Sequence, residues 1–182
     1  MGVLLQCNYN WTREPLRIAG VPVGRKVVAD ANCYTDRSIK PHNDWFPFCE
    51  EIEKPGDESS RDGSIIIVVA TDAPLLPHQL KRVAKRPTLA LGRLGAWSND
   101  GSGDIFIAFS TAGAGQISEK SPSSVNTYPN NGLSVLFQAT VEATEEAIVN
   151  AMVAAKTMIG ASGLQVVELP EDQLRNLMSG KE

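Results

Sequence analysis

The hydrophobic residues of this chain fall into short, nearly continuous runs that are separated by polar, glycine-rich turns. The clearest run, IIIVVA at 65–70, follows Gly63 and Ser64 and predicts a buried β-strand. A second run, IFIAFS at 105–110, follows the turn-forming sequence NDGSGD at 99–104. Two strands that are apolar on both faces indicate a sheet that is covered on both sides.

The other predicted strands are less regular. Residues 2–7 (GVLLQC) read as a core strand with no turn or cap before it, and residues 16–24 alternate and turn like a hairpin. Residues 26–32 and 165–169 are expected to form two further short strands. A complete domain rarely begins on a core strand.

Three helices are predicted. The first runs from 77 to about 92, and its inner side is expected to carry Leu80, Val83, Ala84 and Leu89. The longest runs from 133 to about 158 and is stopped by Gly160 and Gly163. Its small-residue stripe, which indicates close packing, contains Leu136, Thr140, Ala143, Ala147, Ala151 and Ala155. Pro170 opens the last helix.

Two long segments lack apolar periodicity and are predicted to be loops. Residues 34–62 contain prolines and many charged residues, and the acidic residues 50–53 within them read as solvated. The aromatic cluster at 45–48 either plugs a cleft or fastens the loop down. Residues 111–132 form a polar loop, and GAG at 113–115 lacks the third glycine of a nucleotide-binding loop.

Composition narrows the class of protein. The 182 residues suit a single domain, and the net charge of −4 argues against binding of nucleic acid. No apolar run approaches the roughly 20 residues that span a membrane. The three cysteines, Cys7, Cys33 and Cys49, are odd in number and lack metal-binding spacing, so we expect reduced packing thiols, no metal and no cofactor.

Ser64 is the main candidate for chemistry. Gly-Ser pairs are also common where a loop enters a strand, and a Ser-His-Asp triad would have to recruit His42 or His78 without a GxSxG motif. A serine can instead be activated by its own α-amine once the preceding peptide bond is broken. The pKa of an α-amine is near 8, so the amine can act as a base, and Gly63 tolerates the backbone distortion that cleavage needs.

Four stretches of the sequence resemble a known family. They are GSIIIVVATDAPLLPHQLKR at 63–82, LRIAGVPVGR at 16–25, GSGD at 101–104 and EEAIVNA at 145–151. They look like the L-aminopeptidase/D-esterase and β-peptidyl aminopeptidase family of self-cleaving N-terminal serine hydrolases. The resemblance covers nearly all of the chain, and the long motif around Ser64 is specific.

The resemblance implies roles for five residues. Ser64 would be the nucleophile both of self-cleavage after Gly63 and of substrate hydrolysis. Asn32 falls where the family has an asparagine whose amide stabilises the oxyanion, with turn capping as the alternative. Ser102 would orient the terminal amine, and Asp104 would support its charge. The best-known members have Glu at that last position, and Asp is one methylene shorter.

The resemblance also implies a fold, which is α/β (α+β): a four-layer αββα sandwich of the N-terminal-nucleophile type. This chain would be a single, partial domain that corresponds to the C-terminal half of a precursor. Residues 1–63 would end the large-subunit segment, with a loop at 35–63, and residues 64–182 would form the small subunit. The missing half would carry a tyrosine oxyanion donor and the acidic group that grips the substrate amine. Exposed sheet edges would then favour pairing with another chain.

The implied function is that of an aminopeptidase or amidase that releases small N-terminal residues from peptides, amides or esters with a free amine. One alternative is a non-catalytic fragment or subunit that needs a partner chain. Another, supported by weaker motif similarity, is an acyltransferase or pantetheine-type hydrolase on the same fold. The expected assembly is a homo-oligomer of processed heterodimers, in the cytoplasm, or in the periplasm if a signal peptide precedes the sequence.

Overall fold

A computed structural model describes residues 1–8, 13–41, 44, 46–52, 63–116 and 118–180. The strands are β1 (Gly2–Asn8), β2 (Cys33–Tyr34), β3 (Ser64–Thr71), β4 (Ile105–Ser110), β5 (Met158–Ile159) and β6 (Leu164–Val166). The helices are α1 (Val23–Lys26), α2 (Pro77–Val83), α3 (Pro87–Arg93), α4 (Leu133–Ala154) and α5 (Glu171–Met178). The chain divides into two compact units: unit 1 is Met1–Asn10 with Asp62–Ile148, and unit 2 is Trp11–Arg61 with Val149–Glu182.

Unit 1 is built on a three-stranded sheet in the order β1-β3-β4. The central strand, β3, pairs antiparallel with β1 so that Asn8 lies opposite Ser64. It pairs parallel with β4, with Ile66 opposite Ile105. Both predicted apolar runs therefore form neighbouring strands of one sheet, as the sequence indicated.

The two faces of this sheet differ in exposure. Alternate residues of β3, from Ile65 to Thr71, are buried in a core that also contains helix residues such as Val83, Ala90 and Leu133. The opposite face is open and apolar, with exposed fractions of 74% for Leu4, 43% for Ile66, 50% for Ile105, 48% for Ile107 and 45% for Phe109. We call these five residues the open face.

Two burial predictions for this sheet are therefore wrong. β1 is not a core strand, because most of its residues are exposed, and β3 and β4 are not covered on both faces. The sequence pattern indicates that both faces of the sheet are apolar. It does not indicate whether other elements pack on both faces, and none of the described residues buries the open face.

The helix predicted at 77–92 is broken in two. Pro87 has no N–H to continue the first helix, so α2 ends at Val83 and α3 starts at Pro87. The break changes which residues face inward: Ala90 and Leu91 are buried, whereas Leu89, predicted on the inner side, is 54% exposed. Both helices contact α4: Arg82 of α2 lies 5.1 Å from the centroid of the Phe137 ring, and Arg93 of α3 forms a 3.1 Å ion pair with Glu145.

Helix α4 ends at Ala154, four residues before the predicted end. Its buried positions are Leu133, Thr140, Thr144 and Ile148, so the inward stripe lies beside the predicted one and shares only Thr140 with it. The glycines expected to stop the helix instead form the turn of the β5–β6 hairpin. There Gly163 has a φ of 75°, and Gly163 donates a 3.0 Å hydrogen bond to the Gly160 carbonyl.

Unit 2 contains the sheet β2-β6-β5 and a small core of Val23, Val27 and Leu174. The predicted turn in residues 16–24 is present, because Ala19 and Gly20 both have positive φ and Ile18 and Val21 exchange backbone hydrogen bonds.

The strand predicted at 26–32 does not form. The N–H and the carbonyl of Val28 both bind the side chain of Gln173, at 2.9 and 2.8 Å. These two groups are therefore not available to pair with a neighbouring strand. The last strand starts one residue early and is shorter than predicted, and Pro170 precedes α5 as expected.

The long loop is fastened more firmly than the sequence indicated. Cys33 and Cys49 form a disulfide with a Cα–Cα distance of 4.9 Å, so the expectation of reduced thiols is wrong for this pair. Their 16-residue separation carries no recognisable spacing, which is why the sequence did not reveal the pair.

Other contacts reinforce this fastening. Phe46 and Phe48 pack on Tyr34 at ring-centroid distances of 6.3 and 6.0 Å, so within the aromatic cluster these two rings fasten the loop. Trp45 lies outside the described residues. Arg37 binds both Glu50 and Glu51, which remain exposed to solvent as predicted. The Phe48 N–H, and then Arg37, hold the pKa of Glu51 below its ordinary value.

Candidate active site

Ser64 is held by hydrogen bonds from two neighbouring segments. Its main-chain N–H donates to the Oδ1 atom of Asn8, at the end of β1, over 2.9 Å. Its Oγ atom accepts the main-chain N–H of Gly103 over 3.1 Å. The nitrogen and the hydroxyl of one half-buried serine thus each have a defined partner, and both atoms matter if this residue is a nucleophile activated by its own amine.

The approach of Gly103 to Ser64 requires a small residue. A Cβ atom at position 103 would lie 3.2 Å from Ser64 Oγ, which is tighter than most real Cβ contacts. The predicted turn before β4 delivers this segment, closed by a 2.9 Å bond from Ser102 N–H to the Asn99 carbonyl. Because Ser102 and Asp104 flank Gly103, the structure brings the predicted 102–104 segment against Ser64.

Asp104 is held by one oxygen and leaves the other without a donor. Ser98 Oγ donates to Asp104 Oδ2 over 2.8 Å. Asp104 Oδ1 is buried and has no hydrogen-bond partner among the described residues. A buried carboxylate oxygen without a donor is unfavourable, so this atom is an acceptor with capacity for a further donor.

Ser98 adopts an unusual backbone conformation to reach Asp104. Its φ is 53°, in the left-handed region that non-glycine residues rarely occupy. Backbone strain of this kind persists where the surrounding contacts require it. The Ser98–Asp104 bond is such a contact, and it fixes the orientation of the carboxyl group.

Asn32 belongs to unit 2, whereas Ser64, Ser102 and Asp104 belong to unit 1. Its Oδ1 atom accepts the N–H of Val167, just after β6, over 2.9 Å. That bond orients the side-chain amide and leaves its NH₂ group to donate elsewhere. The role of Asn32 at the oxyanion stays a prediction.

Other chemistries find little support among the described residues. His42 lies outside them, and His78 is exposed on the first turn of α2, where it forms no bond to Ser64. Within the described ranges, no cluster of histidine, cysteine, aspartate or glutamate could hold a metal ion. The helices of the same ranges include none that is long and apolar enough to cross a bilayer.

Sequence reasoning did not identify Asn8 or Ser98. Asn8 ends the first apolar run with a polar residue, and Ser98 precedes the recognised turn at 99–104, so each was adjacent to a feature of interest. Neither residue belongs to a recognisable sequence motif. Asn8 bonds to a residue that is distant in sequence, and the role of Ser98 depends on its positive φ, which the sequence does not indicate.

These features describe an α/β protein in which a serine at the start of a central strand is bonded through both its nitrogen and its hydroxyl. The sequence matches the profile of peptidase family S58 over residues 1–166. The chain belongs to this family.

Two curated relatives are both named β-peptidyl aminopeptidase BapA. The protein of Sphingosinicella microcystinivorans is 43% identical over 98% of this chain, and that of Sphingosinicella xenopeptidilytica is 38% identical over 100% of it. In each case the matched region is 42% of the relative, so the chain spans less than half the length of the curated relatives it matches.

Solved structures agree with this membership. The L-aminopeptidase D-Ala-esterase/amidase of Ochrobactrum anthropi, described as a variant of the Ntn hydrolase fold, has a TM-score of 0.69 and 32% identity, with 98% of this chain and 47% of that one covered. A Burkholderia sp. β-aminopeptidase has a TM-score of 0.66 and 34% identity, with 98% and 43% covered. The PH0078 protein of Pyrococcus horikoshii OT3 has a TM-score of 0.69 and 35% identity, with 98% and 42% covered. The expected fold class is confirmed.

Proposed function

We propose that Ser64 cuts the peptide bond after Gly63 and then serves as the N-terminal nucleophile of an aminopeptidase. The observation that carries this proposal is the Gly103–Ser64 hydrogen bond, because it holds the hydroxyl at the loop that bears Ser102 and Asp104. Family membership supports it independently.

The self-cleavage step balances without a cofactor. Ser64 Oγ attacks the Gly63 carbonyl carbon, the bond from that carbon to Ser64 N breaks, and the hydroxyl proton passes to the departing nitrogen. Water then hydrolyses the resulting ester between Gly63 and Ser64 Oγ. The products are a carboxylate on Gly63 and a Ser64 that has both a free hydroxyl and a free α-amine.

In substrate hydrolysis the α-amine is the general base that takes the proton from Ser64 Oγ. Asp104 Oδ1, the acceptor without a donor, accepts a hydrogen bond from the ammonium form and stabilises its charge. Ser102 orients the same amine. Asn32 donates its side-chain NH₂ to the oxyanion of the tetrahedral intermediate.

The proposed substrates are peptides, amides or esters with a small N-terminal residue and a free amine. This class follows from the relatives, which are named β-peptidyl aminopeptidase, β-aminopeptidase and L-aminopeptidase D-Ala-esterase/amidase. Hydrolysis of amino-acid and β-amino-acid p-nitroanilides is the direct assay, with Ser64→Ala as the inactive control.

Self-cleavage is tested by mass spectrometry of the freshly purified chain. We expect two fragments, one that ends at Gly63 and one that begins at Ser64. Periodate selectively oxidises an N-terminal serine with a free amine, so it should convert the second fragment to an aldehyde. Ser64→Ala should give a single uncut chain. An unchanged chain that remains uncut after prolonged incubation would overturn the proposal.

The open face favours a second candidate, a subunit that needs a partner chain. A monomer rarely exposes a large contiguous apolar patch without a binding role, and the open face lies on the sheet whose central strand begins at Ser64. A chain that is cut at Ser64 but does not hydrolyse any p-nitroanilide would support this candidate. Turnover that Ser64→Ala abolishes would exclude it.

A further inference from the structure

We propose that Asn8 is the positioning residue for the nitrogen of Ser64, first as an amide and then, after cleavage, as the catalytic α-amine. This inference rests on the proposed function and assigns a role to a residue outside the 102–104 segment. The observation behind it is the 2.9 Å hydrogen bond from Ser64 N to Asn8 Oδ1.

The position of Asn8 follows from the register of the sheet. β1 and β3 pair antiparallel along seven positions, and Asn8 opposite Ser64 is the last of them. Residues opposite each other in a ladder project from the same face, so the Asn8 side chain and the Ser64 side chain lie on the same side of the sheet. The ladder therefore fixes the distance between the Asn8 amide and Ser64 N.

Before cleavage, this bond orients the scissile peptide. The single N–H of Ser64 is committed to Asn8 Oδ1, which fixes the rotation of the Gly63–Ser64 peptide plane relative to the sheet. Gly103 separately fixes Ser64 Oγ. The attacking oxygen is thus held by the turn before β4, and the peptide that it attacks is held by β1, which favours a reactive geometry.

After cleavage, Asn8 keeps an acceptor where the new amine forms. A neutral amine has two N–H donors and one lone pair, and it acts as a base only when that lone pair points at the Ser64 hydroxyl. One N–H bonded to Asn8 Oδ1 restricts rotation about the Cα–N bond. The same oxygen also accepts from the ammonium form, so it raises the pKa of the amine.

The charged groups near this nitrogen are few among the described residues. On the two segments bonded to Ser64, β1 and the 99–104 turn, the titratable side chains are Cys7, Asp100 and Asp104. Cys7 lies one register position from Asn8 and therefore on the opposite face of the sheet. A carboxylate introduced at position 8 would thus add a negative charge next to the amine of Ser64.

The test measures the pKa of the Ser64 amine in chains that differ at position 8. Residues 60–63 are replaced by a factor Xa recognition sequence, so that the protease produces the Ser64 terminus even if self-cleavage never occurs. Competitive acetylation across pH, read on the tryptic peptide 64–81, then gives the pKa of this one amine. A failure of self-cleavage leaves this measurement intact, so the two proposals are tested separately.

Three variants decide the outcome. Asn8→Asp keeps the acceptor and adds a negative charge, so we expect the amine pKa to rise by about one unit. Asn8→Ala removes the acceptor, so the pKa should fall. Gln6→Glu is the matched control, because it adds a carboxylate to the same face of β1, two residues away and opposite Ile66. We expect it to change the pKa much less than Asn8→Asp does.

Self-cleavage of the chain with its own residues 60–63 provides the second readout. Asn8→Ala should slow it roughly tenfold, while Asn8→Asp, which preserves the acceptor, should retain most of the rate. An unchanged amine pKa in Asn8→Asp, or an equal rise in Gln6→Glu, would overturn the assignment. Circular dichroism confirms that each variant is folded.

Discussion

The main-chain N–H of Gly103 donates to the hydroxyl of Ser64 over 3.1 Å, and a Cβ atom at position 103 would lie 3.2 Å from the same hydroxyl oxygen. These two facts are related, because a residue with a Cβ atom could form this bond only after the Ser64 side chain or the loop had shifted by a few tenths of an ångström. The glycine between Ser102 and Asp104 therefore allows the main chain to approach the Ser64 hydroxyl closely. It lets the turn before β4 approach the first residue of β3, with Ser102 and Asp104 on either side of the contact.

Gly103→Ala should slow self-cleavage while leaving the fold intact. The added methyl group would lie 3.2 Å from Ser64 Oγ, so the hydroxyl or the loop must shift by a few tenths of an ångström. Either change misplaces the nucleophile, and we expect a loss of roughly ten- to a hundredfold in rate. The measurement is the fraction of uncut chain at fixed times of cell-free synthesis.

Gly113→Ala is the control for this substitution. A Cβ atom there meets nothing within 4 Å, and its φ is not in the left-handed region, so the general cost of replacing a loop glycine in the same unit is measured without a clash. Equal cleavage rates in Gly103→Ala and Gly113→Ala would contradict the role of Gly103.

Ser98→Gly should separate activity from stability. Glycine adopts the positive φ of this position without strain, so the folded state should be as stable as before or slightly more so. The hydrogen bond to Asp104 Oδ2 is lost, however, and the carboxyl group is then free to rotate. We expect self-cleavage to slow several-fold, as measured by the same time course, while the urea midpoint does not fall.

Ser98→Asn provides the matching comparison. Asparagine tolerates the left-handed region and carries a side-chain donor, so part of the rate should return. A rate in Ser98→Gly equal to that of the unchanged chain would show that Asp104 does not need this support.

The sequence alone predicted the strand that Ser64 begins and the turn that approaches it. The apolar run at 65–70 specified a strand, and the turn at 99–104 placed Ser102 and Asp104 before a second strand of the same kind. Local chemistry was sufficient here because each prediction depended on neighbouring residues. The pairing of β3 with β4, which brings the two segments together, is the tertiary consequence of two apolar runs in one unit.

Failures of prediction arose where distant contacts replaced local preference. Residues 26–32 have the composition of a strand, but the Gln173 side chain takes the hydrogen bonds of Val28. The cysteine spacing gave no sign of the bond between Cys33 and Cys49. Asn8 was overlooked for the same reason, because its partner lies 56 residues away along the chain.

Threonine in place of Ile105 and Ile107 should reduce the apolar character of the open face without unfolding the sheet. Both side chains are about half exposed, at 50% and 48%, and threonine retains a β-branched shape suited to a strand. We expect the fluorescence of a dye that binds exposed apolar surface to fall by roughly half. Sedimentation velocity should show a parallel decrease in self-association.

Val135→Thr is the control for the open face. Val135 is 71% exposed but lies on α4 rather than on the sheet. The substitution therefore measures the effect on dye binding of removing an exposed aliphatic side chain outside the open face. Equal decreases in dye binding for the two variants would show that the open face is not a distinct binding surface.

Replacing both Cys33 and Cys49 by serine should destabilise unit 2. The disulfide joins residues 16 apart, and closing a loop of about this length stabilises a fold by about 3 kcal/mol, chiefly by restricting the unfolded chain. We expect a loss of this size in chemical denaturation, and an equal loss when the unchanged chain is reduced. Cys7→Ser, outside the disulfide, should have little effect. In the denatured but unreduced chain one thiol should react with a thiol reagent; three reactive thiols would show that the bond does not form.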